Sequence, residues 1–108
     1  NPDTVEAQIE SGIIFGLTAA MYGEIRIENG HVANGNFPDY EMVRMATTPE
    51  IEVHIVESGE ALGGLGEPAT PPIAAAVTNA IYILTGQRVR ELPISKHNFS
   101  RSTPVATV

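Results

Sequence analysis

The sequence has 108 residues and no cysteine, and its 13 acidic and six basic side chains give a formal net charge of -7. So acidic a chain argues against binding to nucleic acid or to an anionic membrane surface, because both would repel it. Without thiols, the chain cannot contain a disulfide framework, a cysteine nucleophile, or a zinc or iron–sulfur centre ligated by cysteine.

The length fits one small domain with a single core. The first residue is Asn1 rather than Met, and the sequence contains neither a secretory signal pattern nor an apolar run long enough to cross a membrane. We therefore expect an excised piece of a longer soluble protein.

The first predicted element is a helix over residues 4–21. Asp3 is placed to cap it, and Glu6 completes the pattern of a capping box. Apolar residues recur at spacings of three and four and then widen around the cylinder, so the second half is expected to be buried on most sides. Gly12 and Gly16 lie one turn apart in that half, which predicts a close approach either by another element of the protein or by a ligand.

The middle of the chain predicts strands. Residues 24–28 alternate between polar and apolar and lead into Asn29-Gly30, the preferred dipeptide of a type I′ turn, so a β-hairpin is predicted here. Residues 42–45 fit either a short strand or a turn. Residues 50–57 alternate again, which predicts a third strand with one buried face.

A second helix is predicted to begin near Thr70 and Pro71, because threonine is a good N-cap and proline suits the first helical position. Apolar side chains then repeat at helical spacing until Gly86, which suits the C-terminal cap. Residues 87–94 are predicted to be extended, and residues 95–108 to be a polar tail that is disordered or pinned to another chain. The predicted fold class is α+β, with two main helices and a small sheet that includes the hairpin.

The stretch best suited to chemistry is residues 63–72, where three glycines and three prolines surround the carboxylate of Glu67. Glycine lets the backbone press close to a ligand and proline stiffens the exit. The glycine spacing fits neither a dinucleotide site nor a P-loop, and the three histidines are too scattered to predict a metal site. Two hypotheses remain: Glu67 is a general base, or the turn only positions the second helix.

Several short motifs follow one another in a fixed order along residues 1–94. They are Asn1-Pro2, Gln8-Ile9-Glu10-Ser11-Gly12, Asn36-Phe37-Pro38-Asp39-Tyr40, Gly64-Leu65-Gly66-Glu67-Pro68, Thr70-Pro71-Pro72 and Thr85-Gly86-Gln87-Arg88-Val89-Arg90-Glu91-Leu92-Pro93. In this order they resemble the C-terminal part of the molybdopterin-binding domain of molybdenum hydroxylases, the xanthine dehydrogenase and aldehyde oxidase family. The branch they most resemble is that of the isoquinoline 1-oxidoreductase large (beta) subunits.

The resemblance implies hydroxylation of a carbon next to a ring nitrogen, or of an aldehyde carbon, with water as the oxygen source. It implies that the metal is held by a pterin cofactor, often as the cytosine dinucleotide in bacteria, so that no protein ligand to the metal is expected. Glu67 matches the family's general base, and the backbones of Leu65 and Gly66 match residues beside the metal. Gln8, which the polar face of the helix would leave solvated, matches a glutamine that hydrogen-bonds the cofactor.

One departure is Ser11-Gly12, where the family usually has two glycines. The implied partners are the remainder of the large subunit, a small subunit with [2Fe-2S] clusters, and an N-heterocycle or aldehyde substrate, in the cytoplasm or the periplasm. The isolated chain is therefore expected to bind no molybdenum and to be inactive. The competing hypothesis is a non-enzymatic protein-interaction or scaffolding domain.

Overall fold

The computed structural model describes residues 1–99, in which two helices and one hairpin form the regular structure. Helix α1 spans Pro2–Tyr22 and helix α2 spans Ile73–Thr85. Strands β1 (Ile27–Glu28) and β2 (His31–Val32) pair in antiparallel fashion. The described chain also has single 3-10 turns at Phe37–Asp39, Met45–Thr47 and Ile94–Lys96. The predicted α+β class is confirmed, with a smaller sheet than expected.

Helix α1 begins earlier than predicted. The Asn1 side chain accepts a hydrogen bond from the backbone N–H of Asp3 at 3.1 Å, so Asn1 is the N-cap and the prediction of Asp3 was wrong. Pro2 explains the shift, because proline lacks an N–H and its fixed φ suits the first helical position. A helix that starts at Pro2 places its cap at Asn1.

The predicted hairpin is confirmed. Asn29 and Gly30 have φ angles of 51° and 79°, the two left-handed conformations that a type I′ turn requires. Ile27 lies opposite Val32 across this short ladder. The turn residues alone specified this element, because the geometry of a two-residue hairpin loop is a local property of the chain.

The predicted third strand is wrong. Residues 50–57 have no regular secondary structure, and within residues 1–99 no strand lies beside them. Ile51 and Val53 are half-buried whereas Val56 is 82% exposed. The alternating pattern therefore identifies a face of this segment that is only partly buried. Alternation decides which side chains face inwards, but a strand exists only where a neighbour supplies the hydrogen bonds of the ladder.

Helix α2 begins at Ile73, after the predicted start, and Pro72 at its cap position makes no side-chain hydrogen bond to the helix. The prediction of Thr70 as the N-cap was therefore wrong. The predicted C-terminal cap is confirmed, because Gly86 has a φ of 71° and donates its N–H to the carbonyl of Tyr82 at 2.8 Å. Over the described part of the chain, neither helix is both long and apolar enough to cross a membrane.

The segment after α2 returns to α1. The 3-10 turn at Ile94–Lys96 packs against α1, and Lys96 forms an ion pair with Glu24 just beyond the end of that helix. Ile94 is 3% exposed and Ala20 of α1 is 2% exposed. Of the predicted tail, Ser95 and Lys96 belong to this 3-10 turn, and residues 100–108 lie outside the described residues.

The core of the described chain is very small. Ala20 and Ile94 are its buried hydrophobic residues, whereas Met45 and Leu62 are almost fully exposed. Phe15 is 71% exposed, so the expectation that the second half of α1 is buried on most sides was wrong for this side chain. The apolar surface that these elements bury can offset little of the conformational entropy lost on folding, about 1–2 kcal/mol for each backbone residue fixed.

We therefore expect the purified 108-residue chain to unfold without a cooperative transition and to bind the dye ANS through its exposed apolar side chains. Circular dichroism during a urea titration and ANS fluorescence would test this expectation. A single steep transition without dye binding would contradict it.

Candidate active site

The turn that carries Glu67 is fastened to α1 on both sides. Before it, the Gln8 side chain donates from Nε2 to the carbonyl oxygen of Gly66 at 2.8 Å, across 58 residues of sequence. After it, the hydroxyl of Thr70 donates to the carbonyl oxygen of Gly12 at 3.2 Å. The backbone N–H of Thr70 also donates to the carbonyl of Glu67 at 3.0 Å and closes the turn. Gln8, Gly66 and Glu67 are therefore brought together.

The surface of α1 is notched to receive this turn. A Cβ atom on Gly12 would lie 2.9 Å from the Cβ of Ala69, and one on Gly16 would lie 2.7 Å from the carbonyl oxygen of Thr70. Both glycines are buried. The close approach predicted for Gly12 and Gly16 is thus made by another part of the protein, the segment that leads into α2.

Two cavities meet at Glu67. One has a volume of about 440 Å³ and lies between α1 and the turn, where Gln8, Phe15 and Glu67 line it together with Thr70. The other has a volume of about 530 Å³ and is lined by Gly64, Gly66 and Glu67 together with two prolines of the turn. Glu67 is exposed and lines both cavities.

The glycines of the turn border open space. A Cβ atom on Gly63, Gly64 or Gly66 would meet no atom within 4 Å, and none of the three has the positive φ that favours glycine. Neither packing within the described chain nor backbone conformation therefore requires glycine here. Glycine would be required if a bulky group lay directly against the backbone. The half-buried Leu65 lies between Gly64 and Gly66 and forms part of the same surface.

The described residues offer no metal site of their own. Within residues 1–99, no three His, Cys, Asp or Glu side chains are placed to hold a metal ion. His97 bonds to the backbone carbonyl of Glu91 at 2.7 Å, and His54 lies 3.5 Å from the carboxylate of Glu52 on the surface.

A larger cavity lies elsewhere in the described chain. It has a volume of about 750 Å³ and is bordered by apolar side chains, among them Phe37, Tyr40 and Met42. Phe37 is 94% exposed, and no carboxylate lines this cavity. The two smaller cavities at Glu67 are therefore the better candidates for an active site, because they contain a carboxylate that can exchange protons.

Sequence reasoning missed part of this site. Thr70 was predicted to cap α2, but its hydroxyl bonds to α1. Phe15 and Ser11 line the cavity beside Gln8, although the sequence analysis assigned Phe15 no role at the site. The spacing of Gly12 and Gly16 was the one signal that a segment must approach α1 here, and it did not say which.

Sequence comparison shows which known proteins the chain is similar to. The molybdopterin cofactor-binding domain family matches residues 1–49, which include Gln8 and both notch glycines. Isoquinoline 1-oxidoreductase subunit beta of Brevundimonas diminuta is 39% identical over 107 residues, which cover 97% of this chain and 14% of that protein. The putative xanthine dehydrogenase molybdenum-binding subunit of Escherichia coli K12 is 37% identical over 102 residues, covering 88% and 14%.

A third relative carries a different cofactor in its name. The membrane-bound aldehyde dehydrogenase (pyrroloquinoline-quinone) of Gluconacetobacter polyoxogenes is 35% identical over 94 residues, which cover 87% of this chain and 12% of that protein. All three relatives are named as dehydrogenases or oxidoreductases. The chain spans 12 to 14% of their lengths.

Residues 1–49 belong to the molybdopterin cofactor-binding domain family. The sequence as a whole corresponds to a segment of the large subunits of molybdenum hydroxylases. The alignment with the Brevundimonas protein covers nearly the whole chain and so extends beyond residues 1–49 to Glu67.

Proposed function

We propose that the protein containing this chain is a molybdenum hydroxylase in which Glu67 is the general base. Its substrate is an N-heterocycle of the isoquinoline type, oxidised at a carbon next to the ring nitrogen, or an aldehyde. One observation carries the proposal: Gln8 and Gly66, which the resemblance assigns to the cofactor, are hydrogen-bonded to each other beside Glu67 at the edge of two cavities. The names of the isoquinoline and xanthine dehydrogenase relatives support it.

The residues of the turn fit a molybdenum–pterin cofactor; the cytosine dinucleotide form is proposed from the resemblance alone. That cofactor, when bound, supplies the metal centre that activates water and takes up two electrons from the substrate. The unfilled space along Gly64 and Gly66 lets a cofactor lie against the backbone at Leu65. The Gln8 amide has a second N–H and a carbonyl oxygen, so it can bond to the cofactor while it holds Gly66.

The proposed role of Glu67 is to accept a proton on a carboxylate oxygen as the water-derived oxygen attacks the substrate carbon. The turn is closed by the hydrogen bond between Thr70 and Glu67 and held on α1 by Gln8. A carboxylate presented in this way loses little freedom when substrate binds, and such positioning contributes to the rate. Phe15 gives the same cavity an apolar wall that suits an aromatic or aliphatic substrate.

This function needs partners. The rest of the large subunit would supply the other contacts to the cofactor and the walls of the substrate pocket, and a small subunit with two [2Fe-2S] clusters would carry electrons away. The isolated 108-residue chain is expected to bind no molybdenum and to catalyse nothing.

The proposal is tested on the complete protein purified with its partners. We expect about one molybdenum atom per large subunit by plasma mass spectrometry, and a hydroxylated heterocycle or a carboxylic acid that carries ¹⁸O when the reaction runs in H₂¹⁸O. The isolated chain, expressed in the same cells, serves as the comparison and should contain no molybdenum.

Two results would overturn this proposal. A complete protein that holds a quinone and no molybdenum would fit the name of the aldehyde dehydrogenase relative instead. Stoichiometric molybdenum together with turnover in the isolated chain would contradict the need for the rest of the large subunit.

A further inference from the structure

Thr70 connects three parts of the site. Its backbone N–H closes the turn at Glu67, its hydroxyl bonds to Gly12 of α1, and its carbonyl oxygen accepts from the N–H of Ile73 at the start of α2 at 3.4 Å. The side chain is half-buried between these elements.

The hydroxyl of Thr70 is not used as a helix cap. Helix α2 has Pro72 at its cap position and begins at Ile73 without a side-chain hydrogen bond. The hydroxyl is directed towards α1 instead, where the missing side chain of Gly12 leaves room for it: a Cβ atom there would lie 3.4 Å from the Thr70 Oγ1. The carbonyl of Thr70 lies in the same way over Gly16.

We propose that Thr70 is a positioning residue that holds the Glu67 carboxylate in place by tying the turn to α1; this inference rests on the function proposed above. Gln8 holds the turn at Gly66, and Thr70 holds it on the other side of Glu67. With one attachment lost, the turn can pivot about the other. The carboxylate then spends less time within reach of the proton it must accept, although Thr70 itself touches no reacting atom.

The experiment uses the complete protein and four substitutions at three positions. Thr70→Val keeps the shape of the side chain but removes the hydroxyl, and Thr70→Ser restores the hydroxyl. Thr78→Val is the matched control, because the Thr78 hydroxyl bonds within α2, to the carbonyl of Ala74 at 2.9 Å. Each variant is measured with Glu67 intact and with Glu67→Gln.

We expect Thr70→Val to lower kcat by about 10- to 100-fold, the range that a misplacement of about 1 Å produces, with KM and molybdenum content unchanged. Thr70→Ser should recover most of the loss, and Thr78→Val should stay near the parent. In the Glu67→Gln background, Thr70→Val should cause no further loss, because the carboxylate that it positions is absent. In the protein prepared without molybdenum, amide hydrogen exchange in residues 66–70 should be faster in Thr70→Val.

The failures of the two proposals are distinguishable. Equal losses from Thr70→Val in both backgrounds, an unchanged kcat, or an unchanged exchange rate in residues 66–70 would overturn the positioning role and leave the proposed function standing. Full turnover in Glu67→Gln alone would overturn the proposed function.

Discussion

Replacing Glu67 by glutamine in the complete protein is expected to lower kcat by about 100- to 10,000-fold, the range typical of a lost general base. Glutamine has nearly the same size and shape, so the turn between Gly66 and Thr70 should keep its hydrogen bonds. It cannot take the proton that the carboxylate is proposed to accept. Steady-state kinetics together with molybdenum analysis measure the effect and show whether the cofactor is retained.

The matched control is Glu60→Gln. Glu60 is an exposed carboxylate in the chain that leads to the same turn, and it lines neither cavity at Glu67. The charge removed is the same, so any general electrostatic effect on the acidic protein should appear in both variants. Glu60→Gln should leave kcat within about a factor of two, since surface charge changes away from a site have small effects. A Glu67→Gln protein with similar kcat would count against the general base.

The second large effect is expected for Gly16→Val. A Cβ atom at this position would lie 2.7 Å from the carbonyl oxygen of Thr70 and 3.2 Å from the Cβ of Ile73. These are a backbone atom and the branch point of a side chain, and neither can move without shifting the turn or α2. Overpacking of this kind costs about 1–3 kcal/mol. We expect a lower melting temperature of the complete protein and a lower kcat, because the displaced turn carries Glu67.

Helix propensity and the packing at the notch predict opposite orders of stability for Gly16→Val and a control substitution, Ala19→Val. On propensity alone, Gly16→Val would stabilise α1 by a few tenths of a kcal/mol, and Ala19→Val would destabilise it by about 0.6 kcal/mol. Ala19 lies on the exposed side of the same helix. The notch predicts the opposite order, with Gly16→Val the less stable of the two. A Gly16→Val protein that melts at or above the temperature of Ala19→Val would show that the notch is not filled as described.

Local chemistry made part of the fold predictable. The Asn29-Gly30 turn and the Gly86 cap depend on left-handed backbone conformations that few residues other than glycine and asparagine adopt, so sequence alone located both. The predictions of Asp3 and Thr70 as N-caps were wrong because several residues near a helix start can act as the N-cap. In the structure, α1 starts at Pro2 and α2 starts directly after Pro72. The strand at residues 50–57 failed because pairing depends on a neighbour that the segment's own pattern does not specify.

The site was less predictable than the fold. Polarity and helical position left Gln8 solvated, and only the resemblance to molybdenum hydroxylases assigned it a role. Its hydrogen bond to Gly66 spans 58 residues, and no periodicity encodes a contact over that distance. Gly12 and Gly16 showed that something must approach α1, because glycine in a helix interior is costly unless packing requires it. The identity of the approaching segment was a property of the folded chain.

The most direct measurement is the rate at which substrate reduces the metal centre in a single anaerobic turnover. It isolates the chemical step from substrate binding and from electron exit through the partner subunit. If Glu67 is the general base, the rate constant in Glu67→Gln should be at least about 100-fold lower than in the parent at equal molybdenum content. Reduction at the parental rate in a fully loaded Glu67→Gln protein would contradict that role.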